Sequence, residues 1–149
     1  MTFQTNERFL ENGKVYPLVT EPLRPLLEQH AIDARSFCEI WATHCYRGYL
    51  ASWDIHDGIL LLHDIEVIAL VSRAPAPAEL KNRLLEITAS QKFPIFASWF
   101  SGVLRIGMGE RYRCRHGFGI YPEERVIEVG NGRVVGERWQ RNANPLTHA

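Results

Sequence analysis

Ser52, Asp54 and His63 are the residue types of a hydrolytic triad, and they fall within one short stretch of chain. A serine nucleophile needs a base within hydrogen-bond reach and a third group to orient that base. Asp57-Gly58, set between two apolar runs, predicts a two-residue hairpin turn, because both positions accept positive φ. That turn puts His56 opposite Ile59, Asp54 opposite Leu61 and Ser52 opposite His63. Strand alternation then gathers Leu50, Ser52, Asp54, His56, Ile59, Leu61, His63 and Ile65 on one face. Tyr49, Ala51, Trp53, Ile55, Leu60 and Leu62 form the other, a core face. The stretch lacks a G-x-S-x-G elbow and a helix N-terminus to supply an oxyanion hole. A half-solvated sheet face is therefore favoured over a catalytic one, and no catalytic residue is assigned; Ser52, Asp54 and His63 remain the alternative set.

Two other groups carry potential chemistry. His44, Cys45, Cys114 and His116 are zinc-ligand types, but a structural site wants two close pairs with two to four residues between partners. Here one pair is adjacent and the other is Cys-x-His, so buried thiols are favoured and no metal or cofactor is expected. Arg111, Arg113 and Arg115 alternate with Tyr112, Cys114 and His116, which on a strand makes a row of three guanidinium groups. Such a row receives carboxylates or phosphates through bidentate contacts. With the formal charge balanced at zero, an acidic protein surface is favoured over nucleic acid. Phe93, Phe96, Trp99 and Phe100 follow helical spacing and read as core. The glycines of GMGERYRCRHGFG do not make a phosphate loop.

Hairpins must position these residues. Beside Asp57-Gly58, ERVIEVGNGRVVGERW predicts a second hairpin about Asn131-Gly132, and GVLRIGMGERYRC a looser third about Met108-Gly109. Lys14–Thr20 reads as a strand that Pro17 confines to an edge or a bend. Pro22–His30 reads as a short helix, Asp33 as a cap for a turn toward Phe37, and Pro77–Ser90 as an amphipathic helix with Leu80, Leu84, Leu85 and Ile87 inward. Residues 1–13 and 142–149 read as loose ends of a single domain spanning 1–149. The expected class is α+β: a twisted antiparallel sheet of roughly five to seven strands, packed by one main helix and short helices.

The bulk numbers agree with one globular core. The chain has 149 residues, 46% hydrophobic and 23% charged. Residues 1–100 carry 9 Lys/Arg against 12 Asp/Glu, and residues 101–149 carry 8 Arg against 5 Asp/Glu. Three cysteines without a CxxC fit a reducing compartment, and no signal peptide or membrane span is visible, so a cytoplasmic location is expected.

Arg47-Gly48-Tyr49 entering a strand with Trp53, then Phe96, Trp99 and Gly102, then the Glu-rich hairpin from Glu123 to Glu128, resemble a group of small uncharacterised bacterial proteins. In size and character the chain is also similar to immunity proteins of bacterial toxin systems. The resemblance transfers no catalytic residues. It implies a protein-binding module that neutralises a protein partner, most concretely a toxin. The expected contacts are Arg111, Arg113 and Arg115, then Asp54, His56 and His63. A small hydrolase or transferase and a nucleic-acid binder are the alternatives, and the oligomeric state is left open.

Overall fold

The computed structural model describes residues 5–37, 45, 47–68, 73–112 and 120–144. Its strands are β1 (Glu7–Glu11), β2 (Lys14–Leu18), β3 (Tyr49–His56), β4 (Ile59–Ile68), β5 (Arg73–Pro75), β6 (Ile95–Phe96), β7 (Gly102–Met108), β8 (Glu123–Gly130) and β9 (Arg133–Arg141). Helix α1 spans Arg24–Gln29, helix α2 spans Ala78–Ile87, and a 3-10 turn covers Ala34–Phe37. The fold is α+β, as the sequence predicts. Strands β5 and β6, three and two residues long, are too short to show alternation, which is why the strand number exceeds the expected range.

The ladder runs β3-β1-β2-β7-β8-β9-β4, and β4 pairs back onto β3. These seven strands therefore form a ring, with β5 and β6 added to β4. Every ladder is antiparallel except β1–β3, which is parallel through Arg8↔Ser52 and Phe9↔Trp53. The ring closes where two hairpin turns meet. Ile59 pairs with Arg133, Leu60 N–H donates to the Gly132 carbonyl at 2.8 Å, and Val134 N–H donates to the Gly58 carbonyl at 2.8 Å. Beyond Arg133 the two strands part, because β4 takes β6 and then β5 on that side.

The interior is filled by Phe9, Leu18, Trp53, Leu60, Leu62, Ile65, Leu104 and Ile106, all at most 1% exposed. Burying side chains of this size contributes about 1.5–3 kcal/mol each in transfer terms, before chain entropy is subtracted. Trp53 meets Trp99 edge to face, with ring centroids 6.3 Å apart. Leu80 and Leu84 of α2 reach the same core, with Leu85 and Ile87 packed partly against it, as the helical periodicity predicts.

Four sequence expectations are corrected. The N-terminal stretch is not loose from Glu7 on: Asn12-Gly13 makes a two-residue turn with φ of 51° and 76°, and β1 pairs with β2 from Glu7↔Leu18 to Glu11↔Lys14. Met108-Gly109 does not turn the chain into an adjacent partner strand. The partner of β7 is β8, through Met108↔Glu123, and the connection between them makes the Tyr112↔Ile120 bridge. The Phe93–Phe100 stretch is β6 with turns, not a helix. Finally, β2 lies inside the ring order rather than at an edge. It is laddered to β7 only at Leu18↔Ile106, so Pro17 falls where a missing N–H breaks no β2–β7 rung.

Candidate protein-interaction surface

The first hairpin keeps its predicted register only near the turn. His56↔Ile59 and Asp54↔Leu61 hold, but a bulge follows: Trp53 pairs with Leu62 and Ser52 with Asp64, leaving His63 as the extra residue. The one-residue shift turns the rest of β4 over. Ile65, expected on the polar face, is fully buried and lies opposite Ala51 in the core. Ser52, expected opposite His63, is 8% exposed and makes no hydrogen bond to it among the described residues. His63 Nδ1 is 4.0 Å from Asp54 Oδ2, at the outer limit of an ion pair, and His56 stands at the exposed hairpin tip, 3.3 Å from Asp57. Asp54, His56 and His63 thus share a surface, and Ser52 is withdrawn from it. Ser52→Ala is expected to change stability by less than about 1 kcal/mol and to leave biological function intact, as read by urea unfolding and by the growth assay proposed below.

Of the arginine row, Arg111 is exposed, whereas Arg113 and Arg115 lie outside the described residues. His44, Cys114 and His116 do too. Cys45 is buried, with its thiol donating to the Tyr49 carbonyl at 3.3 Å. Among the described residues no group of three or more His, Cys, Asp or Glu side chains is arranged to hold a metal ion. Nor is any helix there long and apolar enough to cross a membrane.

The strongest electrostatics lie inside the protein. Glu7, on β1, is fully buried; its Oε2 accepts from Arg47 Nη2 at 2.8 Å and from Ala51 N–H at 2.8 Å. Arg47 Nε also lies 3.8 Å from Glu21 Oε1, and its guanidinium sits 5.4 Å from the Tyr49 ring centre. Burial pushes the Glu7 carboxyl up from its ordinary range, against the opposing pull of Arg47 and the Ala51 amide. Burial also raises the Tyr49 phenol, helped by the negative charge of Glu7. Among the described residues, Glu7 Oε1 and the Tyr49 hydroxyl are buried without hydrogen-bond partners. The cluster bonds β1 to β3 across their short parallel ladder. In sequence a buried carboxylate such as Glu7 looks like any surface glutamate, and the Arg47-Gly48-Tyr49 motif is its one visible sign.

On the outside, β9 stands apart. Register places Arg125 opposite Trp139, Glu123 opposite Arg141 and Ile127 opposite Glu137, so one face of the β8–β9 ribbon runs from core into charge. Arg125 binds Glu11 Oε1 at 2.6 Å and Glu137 Oε1 at 2.8 Å, tying this face to the β1–β2 hairpin. On the two sides of Glu137 along β9, Trp139 is 60% exposed and Val135 is 69% exposed. A cavity of about 450 Å³ opens beside Trp139, lined by Glu123, Gln140 and Arg141. Among the described residues, no strand pairs with β9 on its far side past Arg133. The sequence marks this segment as a strand but does not mark its exposure. The available signal was charge at i−2 and i+2 from Trp139, a pattern that does not suit a core face. Comparison with protein-family models, with curated proteins and with solved structures finds no significant match.

Proposed function

We propose that this chain is a non-enzymatic protein-binding module and, in its most concrete form, an immunity protein that holds a bacterial toxin inactive. The observation that carries the binding reading is Trp139, exposed on a paired strand between Glu137 and Arg141. Tryptophan and arginine are the residues that most often dominate binding energy at protein interfaces, and flanking charges select the partner and speed encounter. A paired strand also loses little conformational freedom on docking. The toxin-directed form rests on the resemblance in size and character to immunity proteins. Asp54, His56 and His63 supply a second polar patch at the first hairpin, whose turn abuts the start of β9. Carboxylates interleave the arginines on the β8–β9 face, which weighs against a polyanionic nucleic-acid partner.

The test is co-expression with the product of a toxin-like reading frame adjacent to the gene, read as growth rescue and as a stoichiometric complex. Trp139→Ala is expected to weaken that complex by about 30-fold or more, since a hot-spot tryptophan carries about 2 kcal/mol or more. Its unfolding midpoint should stay near that of the parent, because the side chain is largely in solvent. Absence of both rescue and a stoichiometric partner in the source cell sinks the proposal.

A further inference from the structure

We propose that β9 also pairs edge to edge with β9 of a second copy of this chain, antiparallel and centred on Trp139. Across a two-fold axis normal to the sheet, only residues of one face can oppose each other, so each register is centred on a residue. Centring on Trp139 sets the two tryptophans together, Glu137 opposite the second copy's Arg141, and Arg138 opposite its Gln140. Both Glu137–Arg141 contacts are attractive. Centring on Arg138 instead brings two guanidinium groups face to face, and centring on Glu137 does the same with two carboxylates. Centring on Gln140 leaves Glu137 facing Ala143. Charge complementarity therefore selects one register out of the four.

Three observations support a second copy as the occupant. Among the described residues, the outer edge of β9 from Val135 to Arg141 is unladdered, so its backbone groups can extend the sheet. Trp139 is the large exposed aromatic at the middle of that edge, and pairing would cover both copies of it. The segment is self-complementary in charge, with Glu137 and Arg141 equally spaced about Trp139. The contact is one short strand wide, which places it in the weak class, with a dissociation constant on the order of 10 µM. Because the same strand is offered to the partner, self-association and partner capture exclude each other. The inference stands on this chain alone and does not need the partner to exist.

Sedimentation velocity of the full chain from about 1 to 300 µM should show the mass doubling through the micromolar range. Trp139→Ala should weaken that dimer by at least about tenfold. In the selected register the two 139 positions are directly opposite, at about 4.5–5.5 Å between Cα atoms, a span a disulfide bridges. At about 300 µM, where a dimer weakened about tenfold is still populated, Trp139→Cys should therefore yield a 139–139 cross-link on mild oxidation, mapped by mass spectrometry, while Val135→Cys yields no 135–135 link. A monomer at the highest concentration overturns the proposal. So does a dimer indifferent to Trp139→Ala, and so does a dimer in which Trp139→Cys forms no 139–139 link.

Discussion

Gly132→Ala is expected to lower the unfolding free energy by about 2–5 kcal/mol, the sum of a backbone penalty and a steric one. Gly132 has φ +78°, where any Cβ costs about 1–2 kcal/mol. An added methyl would also lie 2.6 Å from the Ala97 carbonyl oxygen and 2.6 Å from the Phe96 ring. The carbonyl belongs to the backbone of the segment that bonds to β4 through Ala97 N–H and the Leu60 carbonyl, so it cannot swing away as a side-chain tip can. Gly58, the corresponding turn glycine of the first hairpin, provides the control. Its φ is +73°, but nothing lies within 4 Å of an added Cβ. Gly58→Ala should therefore cost only the backbone part, about 1–2 kcal/mol. Urea unfolding of both variants beside the parent measures the difference. Equal losses at the two sites would mean that the Phe96–Ala97 segment gives way to the added methyl.

Arg47→Met is expected to cost about 3–5 kcal/mol at neutral pH, because it strands the Glu7 carboxylate in the interior with one backbone donor. The loss should depend on pH in a defined direction. Glu7 has a folded pKa raised above its ordinary value of 4.5, chiefly by burial. Between those two values the folded state holds more protons than the unfolded one, so the contribution of Glu7 is greatest below 4.5 and is lost as pH rises through the folded value. Removing Arg47 lifts the folded value further. The penalty of Arg47→Met should then be largest near neutrality and shrink as pH falls from the variant's folded value to the parent's, both of which lie above 4.5. Adding Glu7→Gln to Arg47→Met removes the stranded charge and should restore a large part of the loss at neutral pH. Urea midpoints of the parent, both single variants and the double, at two pH values, decide the matter. A pH-independent penalty would place the effect in lost packing rather than in the buried charge.

Turn chemistry made much of this fold legible. Asp57-Gly58 and Asn131-Gly132 gave two hairpins their turns, and α2 followed from the spacing of its leucines. Asn12-Gly13 is an equally strong turn signal, but its flanks, ERFLE and KVYPL, carry charges at positions that the structure partly buries. Alternation cannot announce a buried glutamate, because only the distant Arg47 makes Glu7 tolerable there. The bulge at His63 was equally silent. A single extra residue leaves the local composition unchanged yet moves Ile65 to the core and separates Ser52 from His63, dismantling the candidate triad. At β9 the residues were plain, but their exposure depends on where β4 turns to other partners, a tertiary fact.

The meeting of residues 58 and 132 also bears on how the chain is made. The hairpins can form as each emerges, but the ring waits for Val134, which follows Gly58 by about 75 residues. During synthesis, the flank of β4 that will receive Arg133 stays uncovered for roughly 75 residues of elongation, about 4–15 s at ordinary rates. That interval is when an unpaired apolar strand is most open to misassociation. The Ile59–Leu60 end of β4 is thus exposed longest, since Leu61 and Leu62 are covered earlier by β6, and closure follows at the pace of translation.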